Sequence, residues 1–255
     1  MSASRSRDAR PLLEVRELTV RYARRGGQPL VALEGVSFEL ACGERLAVVG
    51  ASGSGKSSLA RALVGFTPHS GVVRLLTAAR APRPIQLVFQ DAGASLNPRR
   101  RIGAVLQELL DARRARGEGV AQLLADVGLP PQIADAAPHQ LSGGQRQRAA
   151  IARALAADPQ VLVCDEILSA LDAPVQVQIL ELLEQLVRAR SLGVVFVTHD
   201  LAVARRWSDR VAVLHGGRLV ELGPAATIFD APRHAHTREL WNARLRWPEG
   251  VQPTP

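Results

Sequence analysis

Gly50-Ala51-Ser52-Gly53-Ser54-Gly55-Lys56-Ser57 has the residue types and spacing to do chemistry, for it matches G-x-x-x-x-G-K-[ST]. The apolar run Leu46 to Val49 precedes it, and a helical pattern follows through Leu59, Ala62 and Leu63 to Gly65. Glycines let such a loop turn successive N–H groups inward around a phosphate, and the helix N-terminus adds a dipole that favours an anion. Lys56 is then placed to hold the β- and γ-phosphates and Ser57 to hold Mg²⁺. Outside that context the octapeptide reads as a flexible Gly/Ser loop; strand, loop, lysine and helix together favour phosphate binding. The chain has 31 arginines and a single lysine, and the lysine falls at the one position that the loop chemistry requires.

A second candidate is Val161-Leu162-Val163-Cys164-Asp165-Glu166, an apolar strand ending in two carboxylates. Asp165 is expected to bind Mg²⁺ through its water shell, and Glu166 to polarise or deprotonate an attacking water. Alone, the same strand end reads equally well as a helix cap. The third is Leu141-Ser142-Gly143-Gly144-Gln145, ahead of a helix bearing Arg146, Arg148 and Arg153. Small residues at a helix start expose amides to an anion, although by itself the segment is a capped helix.

The elements that must position these groups alternate. Short apolar runs at Leu46 to Val49, Ile85 to Phe89, Val161 to Cys164, Val194 to Thr198 and Val211 to Leu214 are separated by helical segments, an α/β pattern. Leu13 to Arg21 and Val31 to Leu40 have no helix between them and turn at Gly26-Gly27, which predicts an antiparallel β lobe. Between Asp91 and Asp158 leucine-rich helical patterning replaces the strand signal, broken at Gly117 to Gly119 and at Leu129-Pro130-Pro131. Pro174 to Arg190 carries Val175, Ile179, Leu182, Leu183 and Leu186 at helical spacing, with Asp172 as its expected cap. Val211 to Leu214, His215-Gly216-Gly217 and Arg218 to Glu221 form a predicted hairpin.

Composition removes several alternatives. Apolar runs fall far short of the roughly 20 residues of a bilayer helix, so no membrane span is expected. The segment MSASRSRDAR shows no secretory signal, and Cys42 and Cys164, far apart, suit a reducing compartment without a disulfide framework. The net charge of +8 is spread through the chain without a basic block interleaved with aromatics, and aromatic content is 4%, so nucleic acid is not an expected partner.

Taken together, the phosphate loop, Leu141 to Gln145 and the Asp165-Glu166 strand resemble the ATP-binding cassette ATPases, over about Leu13 to Leu240. The resemblance implies a P-loop NTPase of RecA-like α/β core, with an N-terminal antiparallel β subdomain and an inserted α-helical subdomain. It gives one domain over residues 12–245, in which 12–90 and 158–245 form the core and β lobe and 91–157 the helical insert, followed by a disordered tail at 246–255. It adds roles. Tyr22 matches the aromatic that stacks on adenine; a strand aromatic packed in the β lobe is the competing reading. Gln90 matches a glutamine that reaches metal and attacking water, His199 one that contacts the γ-phosphate, and Ser169-Ala170-Leu171-Asp172 a loop that crosses between two cassettes. Ser52, Gly53, Ser54 and Ser58 join the phosphate site. The implied ligands are ATP and Mg²⁺. Each ATP is expected between the phosphate loop of one subunit and Ser142, Gly143, Gly144 and Gln145 of another.

Ala94 to Arg99 after Gln90-Asp91, and Ile228 to His234, resemble the oligopeptide, dipeptide and nickel importer branch, the short nickel type being preferred. The implied assembly is peripheral on the cytoplasmic face of a bacterial inner membrane. It contains a second cassette (the same chain or a sister), two permeases and a periplasmic or lipid-anchored substrate-binding protein. Two other readings compete: a cassette of a non-transport complex such as phosphonate C–P cleavage, and a regulatory cassette that binds ATP without turnover, against which the presence of Glu166, Gln90 and His199 argues. Three departures from the branch pattern stand out. Ile167-Leu168 replaces Pro-Thr or Pro-Val, Gly71 to Ile85 is shortened, and Ala235-His236 stands where Pro-Tyr is usual. His234 and His236 are read as surface histidines in preference to a metal site.

Overall fold

The computed structural model describes residues 10–24, 27–78, 82–113 and 119–244. Gly26, Gly117 and the tail at 246–255 lie outside the described residues. The chain opens with β1 (Pro11–Tyr22) and β2 (Leu30–Ala41), followed by β3 (Arg45–Gly50), α1 (Lys56–Leu63), β4 (Ser70–Leu75) and β5 (Ile85–Val88). The helical stretch contains α2 (Ala92–Ser95), α3 (Ile102–Arg113), α4 (Val120–Asp126) and α5 (Gly143–Leu155). Then come β6 (Val161–Asp165), α6 (Ala173–Arg190), β7 (Gly193–Val197), α7 (Leu201–Trp207), β8 (Arg210–His215), β9 (Arg218–Pro224), α8 (Ala225–Asp230) and α9 (Ala235–Arg244).

Two sheets result. The larger has the order β5-β6-β7-β3-β8-β9, parallel throughout except for the antiparallel β8–β9 hairpin. Strands buried on both faces read as continuous apolar runs, which is why Leu46 to Val49 and Val194 to Val197 show no polar alternation. Alternate side chains of these strands serve different cores. Leu46, Val48, Val163, Val195 and Val197 pack with α1 and the β lobe. Leu162, Cys164, Val194 and Phe196 face α5 and α6, whereas Ala47, Val49, Val211 and Val213 face α7, α8 and α9.

The smaller sheet is the antiparallel lobe β2-β1-β4. Its first two strands stand where the sequence places them, and a third, β4, pairs with β1 from Leu13↔Leu75 to Thr19↔Ser70. The shortened stretch after Gly71 therefore still supplies a strand. At the strand-start end of the larger sheet, Arg45 donates to both carboxylate oxygens of Asp209 (2.8 and 3.1 Å) and lies 5.4 Å from the Trp207 ring. This ties β3, β8 and α7 together opposite the end where the loops carry chemistry. Asp172 does stand at the start of α6, but its side chain makes no capping hydrogen bond. Exposure explains it: water serves the carboxylate and the first-turn amides alike.

Candidate functional site

The phosphate loop leaves β3 at Gly50 and enters α1 at Lys56. Gly55 has φ of +104°, and a Cβ there would lie 2.5 Å from the carbonyl oxygen of Ala32, so only glycine lets the loop pass β2 at this distance. The turn between β8 and β9 backs the loop. Gly217 donates its N–H to Ser54 O (3.1 Å) and accepts from Glu34 N (2.9 Å), while two N–H groups of Arg218 donate to one Glu34 oxygen (2.9 and 3.0 Å). A predicted hairpin thus acts as a brace for the loop.

Lys56 is buried, 7% exposed, and its ammonium donates to Gly50 O and Ala51 O, each at 3.0 Å. The side chain lies across the mouth of the loop, where phosphate oxygens could take over from the two carbonyls. Ser57 Oγ donates to Asp165 Oδ1 at 3.2 Å, joining the end of β6 to the start of α1. Burial raises the Asp165 carboxyl above its ordinary range; the Ser57 bond and the charges of Arg61 and Lys56 pull the other way, and Glu166 adds to the rise. A hydroxyl and a destabilised carboxylate this close make a hard-oxygen donor pair. They suit Mg²⁺, which keeps waters and substrate oxygens for its other positions.

Glu166 adopts φ of +51°, and its amide donates to Val197 O at 3.0 Å. Its carboxylate lies 3.5 Å from His199 Nδ1, across the gap between the ends of β6 and β7. A cleft of about 460 Å³ unites Tyr22, Ser52, Gly53, Gly55, Lys56, Ser57, Ser58, Glu166 and His199. That volume is within the range of about 300–1,000 Å³ usual for small-molecule sites. Tyr22 donates its hydroxyl to Ser58 Oγ in α1 (3.2 Å) and borders the cleft, while also packing against the core of the lobe. Beside it Leu30 and Val31, paired across the lobe with Tyr22 and Arg21, are 45% and 42% exposed and form an apolar lip. These two carry no motif, and the signal that could have found them is their register opposite the only tyrosine.

Other expected residues lie elsewhere. Gln90 does not line the cleft; its Nε2 donates to Ser169 Oγ at 3.2 Å. Ser142 caps α5, accepting from Gln145 N (3.2 Å), while Gln145 Oε1 accepts from Ser142 N (3.0 Å), a capping box. A Cβ at Gly144 would lie 2.8 Å from Val175 in α6, and one at Gly143 in ordinary contact, 3.5 Å, with Leu171. The segment therefore packs against the start of α6 and the loop before it, and is not part of the cleft lining.

A profile of the ABC transporter family matches residues 33–169. The chain belongs to this family. A Brucella abortus (strain 2308) protein assigned as a peptide import ATP-binding protein is 43% identical over 255 residues, covering 93% of this chain and 76% of the relative. The glutathione import ATP-binding protein GsiA of Escherichia coli (strain K12) is 42% identical over 91% of this chain, which spans 41% of that longer protein. Among solved structures, the dimeric cassette MJ0796 in a post-hydrolysis state bound to ADP and Pi has a TM-score of 0.71 at 29% identity, covering 84% of this chain and 99% of that one. CbiO1 from Clostridium perfringens, part of the ABC transporter complex cbiONQ, has 0.70 at 26% identity over 92% and 96%. This cassette is an ATP-binding ATPase of α/β fold with an antiparallel β subdomain and a helical part. No helix among its described residues is long and apolar enough to cross a membrane.

Proposed function

We propose that this cassette hydrolyses ATP to drive an ABC importer, as the peripheral subunit of a complex with membrane permeases. The names of the relatives favour peptides or peptide-like thiols such as glutathione as cargo over nickel. One observation carries the catalytic reading: a single cleft gathers Lys56, Ser57, Glu166 and His199 beside Tyr22, and Ser142 to Gln145 are not among its lining residues. Half of a phosphate site is then complete in one chain and the other half must come from a second cassette.

Within this reading the amides of Gly53, Gly55 and Lys56 hold phosphate oxygens, and Lys56 exchanges two carbonyl partners for the β- and γ-phosphates. The Tyr22 ring, with Leu30 and Val31, receives adenine. Ser57 and Asp165 would hold Mg²⁺, with Gln90 reaching it through Oε1 while its Nε2 stays on Ser169; the ion would supply charge neutralisation at the transferring phosphoryl group. Glu166 orients and deprotonates the attacking water, and His199, 3.5 Å away, contacts the γ-phosphate. The helical part at 91–157, as a unit within a domain over 12–245, passes nucleotide-driven movement to the permeases through the residues that follow Gln90. Replacement of Glu166 by Gln in the assembled complex is expected to abolish turnover and leave ATP trapped between paired cassettes. Unchanged turnover would refute the role given to Glu166.

A further inference from the structure

Ser169 stands just outside the cleft, in the turn between β6 and α6, and makes three bonds that meet at one place. Its hydroxyl donates to the carbonyl oxygen of Glu166 (2.9 Å) and accepts from Gln90 Nε2 (3.2 Å); its amide donates to the same carbonyl (3.2 Å). Glu166 needs such support. A glutamate in the left-handed region sits in a sparsely populated well, which persists only where the surroundings impose it. On the sheet side the Glu166 amide is fixed by Val197 O.

Packing anchors the chain just beyond it, where Ile167 and Leu168 are buried in the core. Glu166 itself borders a small cavity of about 90 Å³ shared with Ser169, Gln176 and Thr198, so its own orientation is set chiefly by hydrogen bonds. Its backbone is pinned by bonds at both ends, one end by the sheet and the other by Ser169. The direction of the Cα–Cβ bond follows from those pins, and with it the approach of the carboxylate to His199.

We infer that Ser169 is a positioning residue for ATP hydrolysis. Its hydroxyl holds Glu166 in the orientation that aims its carboxylate into the cleft, and it links that orientation to the position of Gln90. Gln90 precedes α2, so a shift of the helical part that withdraws its amide changes the bonding at the Glu166 carbonyl. The inference rests on the role proposed for Glu166. Because Ser169 is exposed, losing its hydroxyl leaves the core packing untouched and separates positioning from folding.

The test uses the assembled transporter with Ser169→Ala, Ser169→Thr and Glu166→Gln, and a cycle of Ser169→Ala with Gln90→Ala. Ser169→Ala is expected to lower kcat about tenfold, the scale of a sub-ångström misplacement at a reacting centre, with KM for MgATP within about twofold. Ser169→Thr, which keeps the hydroxyl, should recover most of the rate. In the Gln90→Ala background the same serine replacement should cost clearly less, since the two residues share one bond. An unchanged kcat in Ser169→Ala, a loss that threonine does not rescue, or full additivity with Gln90→Ala overturns the inference. If Glu166→Gln itself turns over normally, the parent reading fails; if it is dead while Ser169→Ala is normal, only the positioning role fails.

Discussion

Gly216 and Gly217 allow the brace behind the phosphate loop to be tested by two adjacent substitutions that differ in one respect. Both have positive φ, +53° and +79°, so alanine at either pays the left-handed penalty of about 1 kcal/mol. A Cβ at 216 meets nothing within 4 Å, whereas at 217 it would lie 2.8 Å from Ala32 O and 3.2 Å from Ala32 C. Ala32 is held in β2 and its neighbour Leu33 pairs with Val20, so the turn must yield, adding about 1–3 kcal/mol as in an overpacked core. Gly217→Ala therefore costs about 2–4 kcal/mol against about 1 for Gly216→Ala. In a chain of this size that corresponds to falls in Tm of roughly 4–16 °C and about 2–4 °C. The displaced turn also stretches the bond from Gly217 N–H to Ser54 O, so KM for ATP should rise several-fold in Gly217→Ala and stay within about twofold in Gly216→Ala. Thermal melts and ATP titration of the two variants decide the matter. Equal losses of Tm and of affinity at both positions would refute the argument that the turn supports the loop by contact with β2.

Asp165→Asn should raise the Tm of metal- and nucleotide-free protein, because burial lifts the folded carboxyl above its unfolded value and the ionised form therefore costs stability as pH rises through that interval. The same variant should lose the stabilisation given by MgATP, and a lower Tm without ligand would contradict this account. Glu221 behaves oppositely: burial raises its carboxyl, but Thr237 and the backbone amides of Arg233 (2.8 Å) and His234 (3.1 Å) outweigh that and depress it. Its stabilising share is present above the ordinary carboxylate range and lost as pH falls through the depressed value. Urea titrations of Glu221→Gln and the parent from pH 7 downward should show a gap that closes on acidification; a gap independent of pH would be the contrary result.

The sequence makes the phosphate loop legible because its chemistry is local: glycines, lysine and serine must lie within eight consecutive positions between a strand and a helix. Strands buried on both faces are legible for the same reason, since Val161 to Cys164 or Val194 to Val197 need no partner to look apolar. β4 is harder to see. Its residues are mostly exposed and do not alternate cleanly, and it becomes a strand only because β1 offers a free edge. Helix α9 depends on tertiary packing, with Trp241 stacked on Phe229 at 4.7 Å and donating to Ile228 O. Least legible is the contact of Gln90 with Ser169, 79 residues apart, where neither residue has a local pattern that names the other. Likewise the spacing Asp165-Glu166 shows two carboxylates but not the left-handed backbone that turns the second towards His199.

The two carbonyls that hold Lys56 have a consequence for reagents as well as for nucleotides. The chain has one ε-amine in all, and that amine is folded inward, in contact with Gly50 and Ala51. An acylating probe selective for lysine has a single side chain to find, and it can react only when the phosphate loop lets that amine out. The extent of labelling at one residue then measures how often the empty loop opens, on the intact cassette and without any engineered handle.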